Sequence, residues 1–143
     1  MSGTGRPGEA ANDGTGLRVV IVAGRWHDAI TDGLIAGALR VLEPSGAEVE
    51  LIRVPGAFEL PVVALGVIVR GGTPHFEFVS NAATDGLTRV AIDTGKPVGF
   101  GVLTLDDEQQ GLDRAGLPGS KEDKGAEAAS AALETAVLLR SLR

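Results

Sequence analysis

The apolar side chains divide the chain into alternating strand-like and helix-like segments. Leu17 to Ala23 is a β-branched run that stops at Gly24, the pattern of a strand buried on both faces. Ile30, Leu34, Ile35, Ala38, Leu39 and Leu42 then recur at helical spacing, with Asp28 or Thr31 available as a cap and Pro44 and Gly46 as the stop. Ala47 to Val54 alternates polar and apolar side chains and halts at Pro55-Gly56, which predicts a second strand and a turn. Leu65 to Arg70 predicts a third strand, closed by Gly71-Gly72-Thr73-Pro74. Beyond it, Phe76, Val79, Ala83, Leu87, Val90 and Ala91 make one face of a helix over 75–92. Pro97 to Leu103 predicts a fourth strand, after which Thr104 or Asp106 opens a short acidic helix running to Gly116. Ser120 and Asp123 have capping-box spacing, with Asp in place of Glu, ahead of an alanine-rich helix that reaches Leu142.

Alternating strands and helices imply an α/β domain: a parallel four-stranded sheet with helices on both faces, in three layers. Ligands bind such sheets outside the carboxyl ends of the strands. Those ends carry Gly24-Arg25-Trp26-His27, Pro55-Gly56-Ala57-Phe58-Glu59, Gly71-Gly72-Thr73-Pro74-His75 and Thr104. The only tryptophan and both histidines therefore fall on one edge. One connection does not fit. A parallel crossover needs a dozen or more residues, helix included. Between Val54 and Leu65 there are ten, and two of them are prolines.

Composition narrows the classes that remain. The 143 residues carry 19 acidic and 13 basic side chains, a net charge of −6, and present no basic excess suited to nucleic acid. The absence of cysteine removes disulfides, thiolate nucleophiles and cysteine-ligated metals. Residues 1–16 are glycine-rich and polar and are expected to form a disordered arm, leaving 17–143 as a single domain. The longest apolar run, 62–69, is far short of a membrane span, so a soluble cytoplasmic protein is expected.

Several residues at the strand ends suit particular chemistry. Gly71-Gly72-Thr73 before a helix has the make-up of an anion site, because glycines let the backbone approach and the helix start offers free N–H groups. An ordinary turn explains the same residues. His75 at that helix start suits proton transfer near neutral pH, although an isolated histidine is more often structural. Trp26 can stack on a planar heterocycle or fold over the core. Arg114 suits phosphate through its planar donor fork, or is a solvated surface arginine. Lys121 and Lys124, beside Glu122 and Asp123, read as a charge-balanced helix start. No His/Asp/Glu group has metal-ligand spacing, and neither a Walker loop nor a GxGxxG is present.

Taken in order, VVIVAGRWHDAITDGLIAGAL, VPGAFELPV, GVIVRGGTPHFEFV, GLTRVAIDTGKPVGFGVLT and EQQGLDRAGLPGSKEDKGAEAA resemble the lumazine synthase family over nearly everything after Gly16. Trp26-His27 and the RAGLPGSKEDKG segment resemble its actinobacterial branch. The resemblance implies flavodoxin-like layering. It also implies condensation of 5-amino-6-(D-ribitylamino)uracil with 3,4-dihydroxy-2-butanone 4-phosphate to give 6,7-dimethyl-8-ribityllumazine. Neither metal nor organic cofactor is implied. His75 matches the family's proton-transfer histidine, and Gly72 and Thr73 its phosphate cradle. Trp26 matches the aromatic that stacks on the pyrimidine, and Ala57, Phe58 and Glu59 belong to the segment that holds the ribityl chain. Ile68 and Val69 lie on the strand lining the uracil. Phe100, Arg114 and Lys124 match groups reaching in from a neighbouring subunit, Arg114 to the phosphate. The implied partners are the two small substrates and further copies of the chain, as a pentamer or a multiple of pentamers, with neither nucleic acid nor membrane.

The chain departs from the family at the connection already found short. The family has a full helix after PGAFELP and then a strand leading into GVxIRG. This chain passes from Pro61-Val62-Val63-Ala64 directly to Leu65-Gly66-Val67. A non-catalytic shell or flavin-binding scaffold with a distorted pocket is the alternative that this departure raises.

Overall fold

The computed structural model describes residues 12–55 and 63–142. Its elements are β1 (Arg18–Gly24), α1 (Asp28–Leu42), β2 (Glu48–Val54), β3 (Val63–Val69), α2 (His75–Thr94), β4 (Gly99–Leu105), α3 (Glu108–Leu112) and α4 (Lys124–Ser141). The strands form one parallel sheet in the order β2-β1-β3-β4. Alternation along each strand sends side chains to two separate cores, giving the flavodoxin-like α/β/α arrangement. Ile21, Ala23, Val63, Leu65, Leu103 and Leu105 pack with α1 and α4. Val22, Ala64, Ile68 and Val102 pack with Ala83 and Leu87 of α2.

Small residues set the spacing of the first layer. A Cβ on Gly125 of α4 would run into the Leu34 carbonyl of α1, and one on Gly37 into the Asp123 carboxylate. The two helices therefore meet backbone to backbone, and Ala126 and Ala129 continue the seam, while Ala128 and Ala132 face Gly99 and Gly101 of β4. Asp123 caps α4 by accepting a hydrogen bond from the Ala126 N–H at 2.9 Å, and it also pairs with Arg40 of α1. The cap is thus Asp123 and not Ser120. The Ser120 hydroxyl donates instead to the Leu112 carbonyl. The acidic helix also stops earlier than Gly116: α3 is a single short turn capped by Asp107, because 113–123 are taken up by loop hydrogen bonds.

The short connection is shorter still in the fold. β3 begins at Val63, two residues ahead of its predicted start, so only 55–62 separate it from β2. β3 is stepped along β1, pairing through Ile21↔Val63, Val22↔Ala64 and Ala23↔Leu65 alone. Val54 lies level with Gly24, so the chain descends only three residues of β1, about 10 Å at the usual strand rise, before re-entering the sheet. Eight residues span that easily, since an extended chain reaches ~3.3–3.6 Å per residue. The stepping costs sheet: among the described residues no strand pairs with Arg18–Val20 on the β3 side.

The arm expected over 1–16 does not include its last residues. Gly14 donates to the Ser45 carbonyl at 2.8 Å, and Arg140 of α4 donates to the carbonyls of Asp13 and Thr15 at 2.9 and 2.7 Å. Residues 1–11 lie outside the described part. Among the described residues no helix is long and apolar enough to cross a membrane.

Candidate functional site

β3 and β4 end level, Val69 opposite Leu105, and their ladder runs one bond further through the Arg70 N–H to the Leu105 carbonyl at 2.7 Å. The chain then turns through Gly71, Gly72 and Thr73, all exposed, and enters α2 at His75 behind Pro74. Nothing lies within 4 Å of the Cβ positions of Gly71 or Gly72, so the loop faces open space. α2 is 20 residues long; the Glu77 and Phe78 N–H groups turn back to the Pro74 carbonyl, which leaves those of His75 and Phe76 without a carbonyl partner in the helix. An exposed glycine loop joined to the positive end of a long helix dipole favours an anion. Gly72, Thr73 and the exposed His75 ring stand together at this place.

Arg114, on the segment between α3 and α4, and Lys124, the first residue of α4, stand together as well. The Asp113 carbonyl accepts from the N–H groups of Lys121 (2.8 Å) and Glu122 (3.0 Å), and Ala115 bridges Asp123 in antiparallel fashion. Lys121 pairs with the Asp113 carboxylate, which that hydrogen bond holds below the usual carboxylate range. On this frame the Arg114 Nη1 donates to the Gln110 carbonyl at 2.9 Å, and its Nε lies 3.4 Å from Glu122. Lys124 Nζ lies 3.5 Å from Glu122 and 2.7 Å from Glu127. Two cations are thus held by one fixed loop, each still sharing Glu122.

The remaining expected residues are dispersed. Trp26 is 71 % exposed in the β1–α1 loop, its carbonyl accepting from the buried Thr31 hydroxyl at 2.8 Å. That use of Thr31 removes it as a helix cap. The N-cap is His27, held in the left-handed region at φ 56 with no side-chain cap, and its Nδ1 is 3.7 Å from Glu108 of α3. Ile68 is turned into the α2-side core and Val69 packs against the other core, so neither opens onto the edge within this chain. Phe100 is exposed, but lies five residues before the end of β4, roughly 17 Å from the edge at the usual strand rise. Ala57, Phe58 and Glu59 lie outside the described residues.

Sequence reasoning missed Arg70. Its Nε donates to Asp106 at 2.7 Å and its Nη1 to Glu77 at 2.6 Å, and the guanidinium sits 4.1 Å from the centre of the Phe76 ring. These hydrogen bonds raise the Arg70 pKa and lower those of Glu77 and Asp106. The edge is laced elsewhere by Arg53, which donates to the Gly24 carbonyl at 3.3 Å and pairs with Asp32 of α1. Among the described residues no group of three or more His, Asp and Glu side chains is placed to hold a metal ion.

A parallel sheet whose carboxyl edge carries an exposed glycine loop, a helix start and a histidine belongs to the α/β class of proteins, whose ligands bind at that edge. The sequence of 16–140 matches the family profile described as 6,7-dimethyl-8-ribityllumazine synthase. The chain is 71% identical to the protein of that name from Leifsonia xyli subsp. xyli, covering 100% of this chain and 99% of the relative. It is 64% identical to the one from Clavibacter michiganensis subsp. michiganensis, over 100% and 99%, and 54% identical to the one from Streptomyces avermitilis, over 99% and 97%. The chain belongs to the 6,7-dimethyl-8-ribityllumazine synthase family. The alignment with the Leifsonia protein runs over 157 residues, fourteen more than the 143 here, so that relative carries about fourteen residues without a counterpart in this chain.

Proposed function

We propose that this chain catalyses the penultimate step of riboflavin biosynthesis. It condenses 5-amino-6-(D-ribitylamino)uracil with 3,4-dihydroxy-2-butanone 4-phosphate to give 6,7-dimethyl-8-ribityllumazine, phosphate and water. The observation that carries this reading is the exposed Gly71–Pro74 loop leading into His75 at the start of α2, in a chain that matches the family over 16–140. The loop N–H groups and the helix dipole receive the phosphate. The exposed His75 imidazole moves protons as the ring amine attacks the ketone, the imine forms and phosphate leaves. Trp26 offers a flat face to the pyrimidine, and Ala57, Phe58 and Glu59 hold the ribityl chain. Ile68 and Val69 support the strand beside the uracil.

Arg114, Lys124 and Phe100 act from a neighbouring subunit in this reading, so the working form is a cytoplasmic homo-oligomer, a pentamer or an icosahedral assembly of pentamers. The fixed 113–123 loop supports that role, because a rigid frame presents Arg114 to another chain with little further ordering cost. No metal or organic cofactor takes part.

Purified protein mixed with both substrates should develop lumazine absorbance. Arg114→Ala should raise KM for the butanone phosphate at least tenfold and leave that for the pyrimidine nearly unchanged. Equal losses for both would remove Arg114 from the phosphate. The three-residue pairing of β1 with β3 favours a second reading, a non-catalytic scaffold. A folded oligomer that forms no lumazine would establish it instead.

A further inference from the structure

Arg70 is the side chain at the carboxyl edge that the reaction leaves without a task. It precedes the Gly71–Pro74 loop, and its partners stand on the other sides: Glu77 in the first turn of α2 and Asp106 just beyond β4. Phe76, half-buried against the α2-side core, supplies a floor for the guanidinium. The three contacts form a bracket around the loop.

Magnitude decides what the bracket does. The side chains of Arg70, Glu77 and Asp106 are 45, 53 and 65% exposed, and exposed ion pairs contribute little to global stability. A loop with two adjacent glycines in open space is costly to order, because glycine loses more backbone freedom than any other residue. The bracket acts on that local cost. Arg70 is also matched by two carboxylates, so it is not a spare cation for the ligand. We propose that Arg70 is a positioning residue that holds the Gly71–Pro74 loop in the shape that receives phosphate, by pinning β3, β4 and α2 together through its planar donor fork. This rests on the functional reading above and deepens it.

The test compares Arg70→Gln and Arg70→Lys with the unaltered oligomer. Arg70→Gln should raise KM for the butanone phosphate about tenfold, with KM for the pyrimidine within about twofold and the urea midpoint unmoved. Arg70→Lys retains the charge but not the fork, and should stay several-fold impaired. Inorganic phosphate, titrated by 31P NMR line broadening, should bind both variants more weakly than the parent. An unchanged phosphate KM, equal rises for both substrates, or full recovery in Arg70→Lys would overturn the proposal. Should Arg70→Gln fail to fold, Glu77→Gln and Asp106→Asn each open one arm and should give smaller rises of the same kind. An unaltered protein inactive with both substrates defeats the functional reading alone, since the phosphate titration still reports on Arg70.

Discussion

The two faces of the sheet are built to different standards. On one, α1 buries eight residues and α4 six, and their backbones touch through Gly37, Gly125 and the alanine seam. On the other, α2 is the longest helix of the protein and buries only Ala83 and Leu87, leaving Phe78 72% and Ile92 74% exposed. The difference teaches where the single chain is self-sufficient. Stability resides in the α1–α4 face, whereas the Gly71–Pro74 loop leads into the helix that has the least packing of its own.

The sharpest way to break this asymmetry is to force the seam apart. Gly125→Val places a branched side chain against the Leu34 carbonyl and should cost more than ~4 kcal/mol in urea unfolding, a large share of the ~5–15 kcal/mol that holds a domain folded. Leu34→Ala and Leu87→Ala remove equally buried leucines from the two faces. Cavity costs for Leu→Ala run ~2–5 kcal/mol, and the loss should fall near the top of that range at Leu34 and near the bottom at Leu87, where the looser α2 layer can relax. Equal losses would mean that the α2 face is as well packed as the other. Both are read from chemical denaturation of the same preparation.

Acid should have the smallest effect, and on the α2 side it acts through the Arg70 bracket. The hydrogen bonds from Arg70 hold Asp106 and Glu77 below their ordinary values of 3.8 and 4.5. Carboxylates with depressed folded values contribute stability that is complete above the unfolded values and fades as pH falls through the folded ones. The bracket should therefore remain closed above about pH 5 and open progressively below about pH 4. Because these groups are exposed, the signal to follow is the Arg70 Nε–H resonance and not the unfolding midpoint. A resonance that changes with a midpoint above about pH 4.5 would contradict the sign.

Much of this organisation was legible in the hydrophobic pattern. Strand β1, with its unbroken β-branched run, and α1, with its spacing from Ile30 to Leu42, are local signals that tertiary contacts only reinforce. The Gly71–Pro74 turn was legible for the same reason, since two glycines and a proline at a strand end act through backbone chemistry alone. What escaped depended on distant partners. Asp123 outcompetes Ser120 as a cap because Arg40, 83 residues away, fixes its carboxylate. Arg70 gave no sign because Asp106 lies 36 residues further on. Val63 and Ala64 stand outside the strand that the pattern predicts from Leu65, and become strand because β1 and β4 supply their neighbours.

The three-residue pairing of β1 with β3 has a consequence for how the chain is joined. β1, α1 and β2 come from the first 54 residues, and every later element comes from residue 63 onward. With so short a ladder between them, the halves are held chiefly by α1 lying on α4, glycine against backbone carbonyl. The covalent link across 55–62 is then the lesser bond. Cut there, the two fragments should still elute as one body, fastened by that close-packed seam.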